Sequence, residues 1–385
     1  MKKILLIMAG DFHFKGGIEN YNLLLFDILF TYYKNFQVDI VLPSCKYIPE
    51  KLKYPCLNFI YYKFAKNHNW KSYFLNGFVN FIDDLNNVNR AKLFIKKIKD
   101  KYDLILNSSL ICFHSCKNNL NYYLIQHVNL EAYLFKLNEK KYSYKITTWI
   151  GKFLYGSFNF LKYSRNIIVY DQLVKDKILN YSPNTNVIDI SLPSKMIPIS
   201  VEELMKTKKE RIIFLGRIDY IKNIPALIDI NKKLNLIDFY GGAESKIGLE
   251  YKDILEKNHW YKGVIKDQQK LQNIFLKYKF LILYSFSEGF SFSLVEALSQ
   301  GLPIIVKDTF LSALFLCNKK TGLLLPKDTS VDEDILLIKK FISMSDEQYH
   351  QYQMNCINFY NENLSIDIFT QKWKKIFNRY LDKKE

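Results

Sequence analysis

Short runs of β-branched and aromatic residues recur along the chain, separated by stretches in which apolar residues return every three to four positions. The runs at 3–9 (KILLIMA), 37–43 (QVDIVLP), 57–63 (LNFIYYK), 102–109 (YDLILNSS), 122–128 (YYLIQHV), 166–171 (NIIVYD) and 186–191 (NVIDIS) have the length and composition of strands. Between them, segments such as 18–34 (IENYNLLLFDILFTYYK) and 89–101 (NRAKLFIKKIKDK) carry the spacing of amphipathic helices. Regular alternation of the two predicts a parallel sheet covered on both faces. The pattern breaks at 192–210 (LPSKMIPISVEELMKTKKE), a charged stretch with two prolines, and resumes with apolar runs at 211–217, 236–242, 260–265, 279–285, 302–308 and 321–326. The expected class is therefore α/β, with two Rossmann-like domains facing across a cleft. Their expected bounds are 1–195 and 196–360, and a helical segment at 361–385 either closes the second domain or packs back on the first.

Composition fits this reading. At 385 residues, 49% of them apolar, the chain is long for one core and suits two domains of about 150 to 200 residues each. Gly and Pro together number 23, too few for a fibrous or disordered chain. A formal charge of +17 implies attraction to phosphates, in nucleic acid or on an anionic membrane. The six cysteines form no CxxC pair, which favours reduced thiols in a cytoplasmic protein. Cys112, His114 and Cys116 have no second ligand pair nearby, so buried thiols explain them better than a metal. The opening MKKILLIMAGDF has an apolar core too short for a signal peptide and reads as a first strand. No window reaches the ~18 uninterrupted apolar residues of a membrane-spanning helix, so any membrane contact is expected to be peripheral.

The candidate chemistry concentrates in SEGFSFSLVEALSQGLPIIV, residues 287–306. Glu288 falls in a loop at the C-terminal edge of a strand, the edge at which open α/β sheets bind ligands. Glu296 falls within the following helix, which Gly301 and Pro303 end. Two acceptor-only carboxylates suit the two ends of a polyhydroxylated ligand. Singly, Glu288 could be an ordinary loop acid and Glu296 a solvated helix position. Gly16 and Gly17 after the first strand allow close backbone approach to a ligand or simply make a turn, and the GxGxxG dinucleotide pattern does not occur there. His127 ends a predicted strand; a lone histidine is as readily structural. The acidic run Asp332–Asp334 follows Ser330, and Ser330 with Glu333 reads as a helix capping box instead of a metal site.

Residues 288–306, EGFSFSLVEALSQGLPIIV, resemble the Glu-x7-Glu motif of GT-B glycosyltransferases of the family 4 type. FLGRIDYIKN (214–223), FYGG (239–242) and YKGVIKDQQKLQNIFLKYKFLILYS (261–285) are similar to further elements of that family, in its order, as is the GGIE loop at 16–19. The match is loose between 40 and 120, Tyr170 stands where the family commonly has Ser, and DISLPSK (189–195) replaces its usual NGVD turn. The resemblance implies a retaining, metal-independent transferase using a nucleotide sugar, with a UDP-sugar as the expected donor. Glu288 and His127 would lie at the donor sugar, and Arg217 and Lys222 at the diphosphate. Glu296 would take the ribose, with Gly16, Gly17, Gly216, Gly241 and the backbone of Phe290, Ser291 and Phe292 lining the donor. No metal or cofactor is expected.

The segment 136–166 interleaves Lys with Tyr, Phe and Trp. It suggests a first domain resting on the anionic inner face of the cell membrane, with a glycan or lipid-linked acceptor such as a lipopolysaccharide precursor; a core helix with solvated lysines is the plainer alternative. A non-catalytic GT-B partner or glycan-binding subunit is the competing function, though it has no need of Glu288, Arg217, Lys222 and Glu296 together. Nucleic acid is not an expected partner, since charge alone suggests it and no binding motif does.

Overall fold

The apolar runs become two parallel sheets. A computed structural model of the protein describes residues 1–8, 17–42, 52, 54–61, 92–108, 119–127, 164–197, 199, 204, 209–265 and 267–384. In the first unit the strands are β1 (Lys2–Met8), β2 (Phe36–Leu42), β3 (Leu57–Tyr61), β4 (Leu104–Ser108), β5 (Tyr122–Ile125), β6 (Asn166–Val169) and β7 (Asn186–Asp189). Helix α1 (Gly17–Tyr32) joins β1 to β2, and α2 (Gln172–Tyr181) joins β6 to β7. The strand order is β3-β2-β1-β4-β5-β6-β7, with every neighbour parallel. β1 is apolar without alternation because both its faces are covered: Ile4 to Met8 are all buried. Asp171 caps α2 by accepting from the Val174 amide at 2.8 Å, which stops the β6 connection from continuing as strand.

The second unit repeats the plan with β8 (Lys209–Leu215), α3 (Ile224–Leu234), β9 (Ile237–Tyr240), α4 (Lys246–Lys257), β10 (Tyr261–Gly263), α5 (Gln268–Phe275), β11 (Tyr278–Leu283), α6 (Phe292–Ser299), β12 (Ile304–Lys307), α7 (Leu311–Leu316), β13 (Gly322–Leu325), α8 (Val331–Ile342) and α9 (Asp346–Asn363). Its order is β10-β9-β8-β11-β12-β13, again all parallel. Phe214, Phe239, Phe280 and Leu281 on the sheet pack with Leu227, Leu294 and Leu298 on its helices in one core.

The units are Met1–Ile190 together with Thr370–Glu385, and Ser191–Phe369. The last turns of α10 (Ile366–Phe377) and the tail after it thus belong to the first unit. Trp373 is fully buried there and donates its indole N–H to the Tyr21 hydroxyl at 3.2 Å. Tyr33 donates to Asn378 at 2.8 Å, Lys372 pairs with Asp189 at 2.6 Å, and Asp382–Lys383 lies antiparallel to Tyr33–Lys34. A buried indole and a strand pairing are stronger ties than a terminal segment makes by surface contact. Among the described residues, no helix is long and apolar enough to cross a membrane.

Candidate active site

Both sheets reverse direction once. In the second unit the chain runs outward through β8, β9 and β10, then returns so that β11 lies on the other side of β8. Because all these strands are parallel, the loops after β8, β9 and β11 leave from one edge, and the gap between the β8 and β11 loops is the topological switch point. The sequence places GRIDYIKN after β8, GG after β9 and SFSEGF after β11.

The loops meet there. The Lys222 ammonium donates to a Glu288 carboxylate oxygen across the switch point, and the two side chains are only 12% and 13% exposed. Asp219 accepts from the Lys222 amide at 3.1 Å, which closes the β8 loop into a turn, and its other oxygen lies 3.6 Å from the Arg217 guanidinium. Arg217 is 69% exposed, so its fork reaches solvent while Lys222 is drawn inward. The Phe286 amide donates to the Ile221 carbonyl at 2.8 Å and ties the β11 loop to the β8 loop. Gly216 and Gly241 bring the two strand ends almost into contact: a Cβ on Gly241 would stand 1.7 Å from the Gly216 carbonyl oxygen.

Ser291 precedes α6 but gives it no side-chain cap; its hydroxyl pairs with that of Ser293 at 3.0 Å. The start of α6 therefore keeps its amide-rich, partly positive end for another acceptor. Glu296 sits on α6 and is only partly exposed. Burial pushes its pKa up to about 7. A carboxyl whose pKa is raised on folding costs stability above its unfolded value, from 4.5 upward through 7. Glu296→Gln is therefore expected to be more stable than the native chain by ~1–3 kcal/mol near pH 8, with the difference gone near pH 4. Urea denaturation at the two pH values measures this, and equal midpoints at pH 8 would contradict it.

The acidic run at 332–334 is fully occupied. Ser330 and Glu333 form a reciprocal capping box, and Asp332 pairs with Lys233. Asp334, fully buried, takes Lys307 at 2.7 Å together with the Tyr284 and Thr329 hydroxyls.

His127 belongs to the first unit, just after β5. Its Nε2 lies 2.6 Å from the Ser108 hydroxyl at the end of β4, and its Nδ1 bonds the Tyr170 hydroxyl just after β6. Ser108 in turn donates to Asn22 Oδ1 on α1 at 2.9 Å, a bond that spans the switch point between β1 and β4. Burial pulls the imidazole down to about 3 and pushes the Tyr170 phenol up, so both are uncharged at neutral pH. Sequence reasoning did not single out Ser108 or Asn22. The signal lay in their positions: Ser108, His127 and Tyr170 end or follow three adjacent strands, so one sheet edge collects them.

The structure thus joins Lys222 to Glu288 and Gly216 to Gly241, sets Arg217 and Asp219 in the same turn, and leaves Glu296 on the next helix. Gly17 opens α1, whereas Gly16, the Cys112–His114–Cys116 group and most of 136–166 lie outside the described residues.

Residues 197–358 match the family model Glycosyl transferases group 1. The GtfA subunit of a UDP-N-acetylglucosamine–peptide N-acetylglucosaminyltransferase from Streptococcus parasanguinis is 27% identical over 152 residues, 38% of this chain and 29% of that protein. The chain matches about a third of the length of such curated relatives. Among solved structures, sucrose-phosphate synthase from Thermosynechococcus elongatus is 15% identical with a TM-score of 0.71, over 98% of this chain and 99% of that one. HepE of Anabaena, solved in complex with UDP, is 14% identical with a TM-score of 0.65, over 98% of this chain and 100% of that one. The chain has the two-sheet GT-B fold, and residues 197–358 of its second unit match the Glycosyl transferases group 1 domain.

Proposed function

We propose that the chain is a retaining, metal-independent glycosyltransferase of the family 4 type. It moves a sugar from a UDP-sugar to a glycan or lipid-linked acceptor in the synthesis of cell-surface polysaccharide, lipopolysaccharide or glycoconjugate. The observation that carries this reading is the Lys222–Glu288 pair across the switch point, with Arg217 exposed beside it. Breaking a sugar–phosphate bond requires stabilisation of the departing diphosphate. The Arg217 fork suits phosphate oxygens in pairs and Lys222 adds a point charge. Glu288, held by Lys222, accepts hydrogen bonds from hydroxyls of the transferred sugar. Glu296 accepts from the ribose, and the start of α6 receives sugar or phosphate oxygens. The bond from the anomeric carbon to the phosphate breaks, the acceptor oxygen joins on the same face, and its proton leaves on the diphosphate. The Streptococcus relatives are named for UDP-N-acetylglucosamine, and HepE was solved with UDP, which favours UDP over other nucleotides.

The membrane-facing acceptor rests on charge and on the Lys-aromatic segment at 136–166. A second acceptor class has its own support: the relatives are named as peptide-modifying subunits, which favours a polypeptide acceptor and a partner chain.

A panel of UDP-, GDP- and ADP-sugars tests the proposal through nucleotide release, with and without chelator. Release from a UDP-sugar, unchanged by chelator and lowered about a hundredfold or more by Glu288→Ala, is expected. Equal rates for the native and Glu288→Ala proteins would remove Glu288 from the chemistry, and a chelator-sensitive rate would overturn metal independence.

A further inference from the structure

We propose that Tyr170 and Ser108 are positioning residues that lock His127 in the neutral tautomer carrying its proton on Nε2, so that this imidazole faces a ligand as a fixed, uncharged group and not as an acid or base. The Asn22 amide sets the tautomer: with its Oδ1 toward Ser108, an orientation that leaves its buried Nδ2 without a partner among the described residues, the tautomer follows from counting protons. A serine hydroxyl has one, and Ser108 donates it to Asn22 Oδ1 at 2.9 Å. Toward His127 Nε2, 2.6 Å away, Ser108 therefore offers only a lone pair, and Nε2 must carry the hydrogen. Nδ1 is then the acceptor, and the Tyr170 hydroxyl is its donor. Burial agrees at each end: it keeps the phenol protonated and the imidazole from taking a second proton.

The ring is also fixed in orientation. Tyr21 meets it edge-on at 5.2 Å and 83°, and meets Tyr170 at 5.7 Å. Tyr21 is itself held by the Trp373 indole, so the C-terminal helix braces the same cluster. Both ring nitrogens are engaged by the protein, which leaves neither for proton exchange with substrate.

The statement about tautomer needs only the first unit; its consequence for catalysis rests on the transferase reading above. Long-range nitrogen–proton NMR of the full-length, histidine-labelled protein separates the two, with the His127 resonances assigned by their loss in His127→Gln. The native protein is expected to show Nε2 protonated and Nδ1 bare, unchanged from pH 6 to 8. In Tyr170→Phe the Nδ1 signal is expected to move to that of a nitrogen without a donor. In Ser108→Ala, which keeps the Tyr170 bond, Nδ1 is expected to stay in place. Nucleotide release by Tyr170→Phe should fall about tenfold in kcat, the worth of one hydrogen bond, with KM for the donor changed less than twofold. Protonated Nδ1 in the native protein, or an unmoved Nδ1 signal in folded Tyr170→Phe, would overturn the lock. The expected spectra without any sugar transfer would uphold the lock and count against the transferase reading alone.

Discussion

Lys222→Ala is expected to slow nucleotide-sugar turnover by about a thousandfold, the loss typical of removing a charged donor aimed at a developing negative charge. The structure adds a second consequence. Lys222 and Glu288 are a mostly buried pair, so removing the cation leaves a carboxylate without its partner. The single mutant should therefore lose ~1–3 kcal/mol of stability as well as activity. Glu288→Gln in the same chain removes the stranded charge, and the double mutant should regain most of that stability while staying inactive. Thermal midpoints and kcat/KM for the four proteins of the cycle separate the two effects. A Lys222→Ala protein within tenfold of native activity would show that Lys222 only neutralises Glu288. Stability and activity recovering together in the double mutant would point the same way.

The second large effect is expected at Gly241. A Cβ there would lie 1.7 Å from the Gly216 carbonyl oxygen, with the backbone at φ +149°, a conformation side chains rarely adopt. The neighbouring bonds, Gly216 N to Tyr240 O at 3.1 Å and Ile218 N to Gly242 O at 2.8 Å, hold the two strand ends together and leave the new atom no way out. Gly241→Ala should destabilise the second unit by ~3 kcal/mol or more, because the clash is with backbone and not with a side chain that can rotate. Gly242 is the control: a Cβ there meets nothing within 4 Å, so Gly242→Ala should stay within about 0.5 kcal/mol of native. Denaturation of both variants decides this. Similar midpoints for the pair would mean that the β8 and β9 ends can part without cost.

How much of this was readable beforehand differs by element. The strands β1 to β13 lie within a few residues of their apolar runs; those buried on both faces, such as β1, β5 and β12, must be apolar throughout, and strand ends meet polar or Gly-rich turns. The Ser330–Glu333 cap was equally readable, since its partners are three residues apart. Glu288 and Lys222 were individually visible through their motifs, yet their pairing was not: 66 residues separate them, and they meet only because β11 returns beside β8. The same holds for Asp334, whose burial against Lys307 depends on β12 lying next to β13.

The sequence by itself determined the alternation of strand and helix, the break between the two sheets, and the loops that carry glycines, acids and basic residues, since all of these follow from periodicity and local backbone preference. Only the tertiary structure decided which side chains share an edge. It set Lys222 against Glu288, strung Tyr170, His127, Ser108 and Asn22 into one hydrogen-bonded chain, left Glu296 only partly exposed, and returned residues 370–385 to the first unit. The physical reason is that strand order and burial are properties of the assembled sheet: a residue's neighbours across a parallel sheet come from distant segments, and no local pattern states which strand will lie beside which.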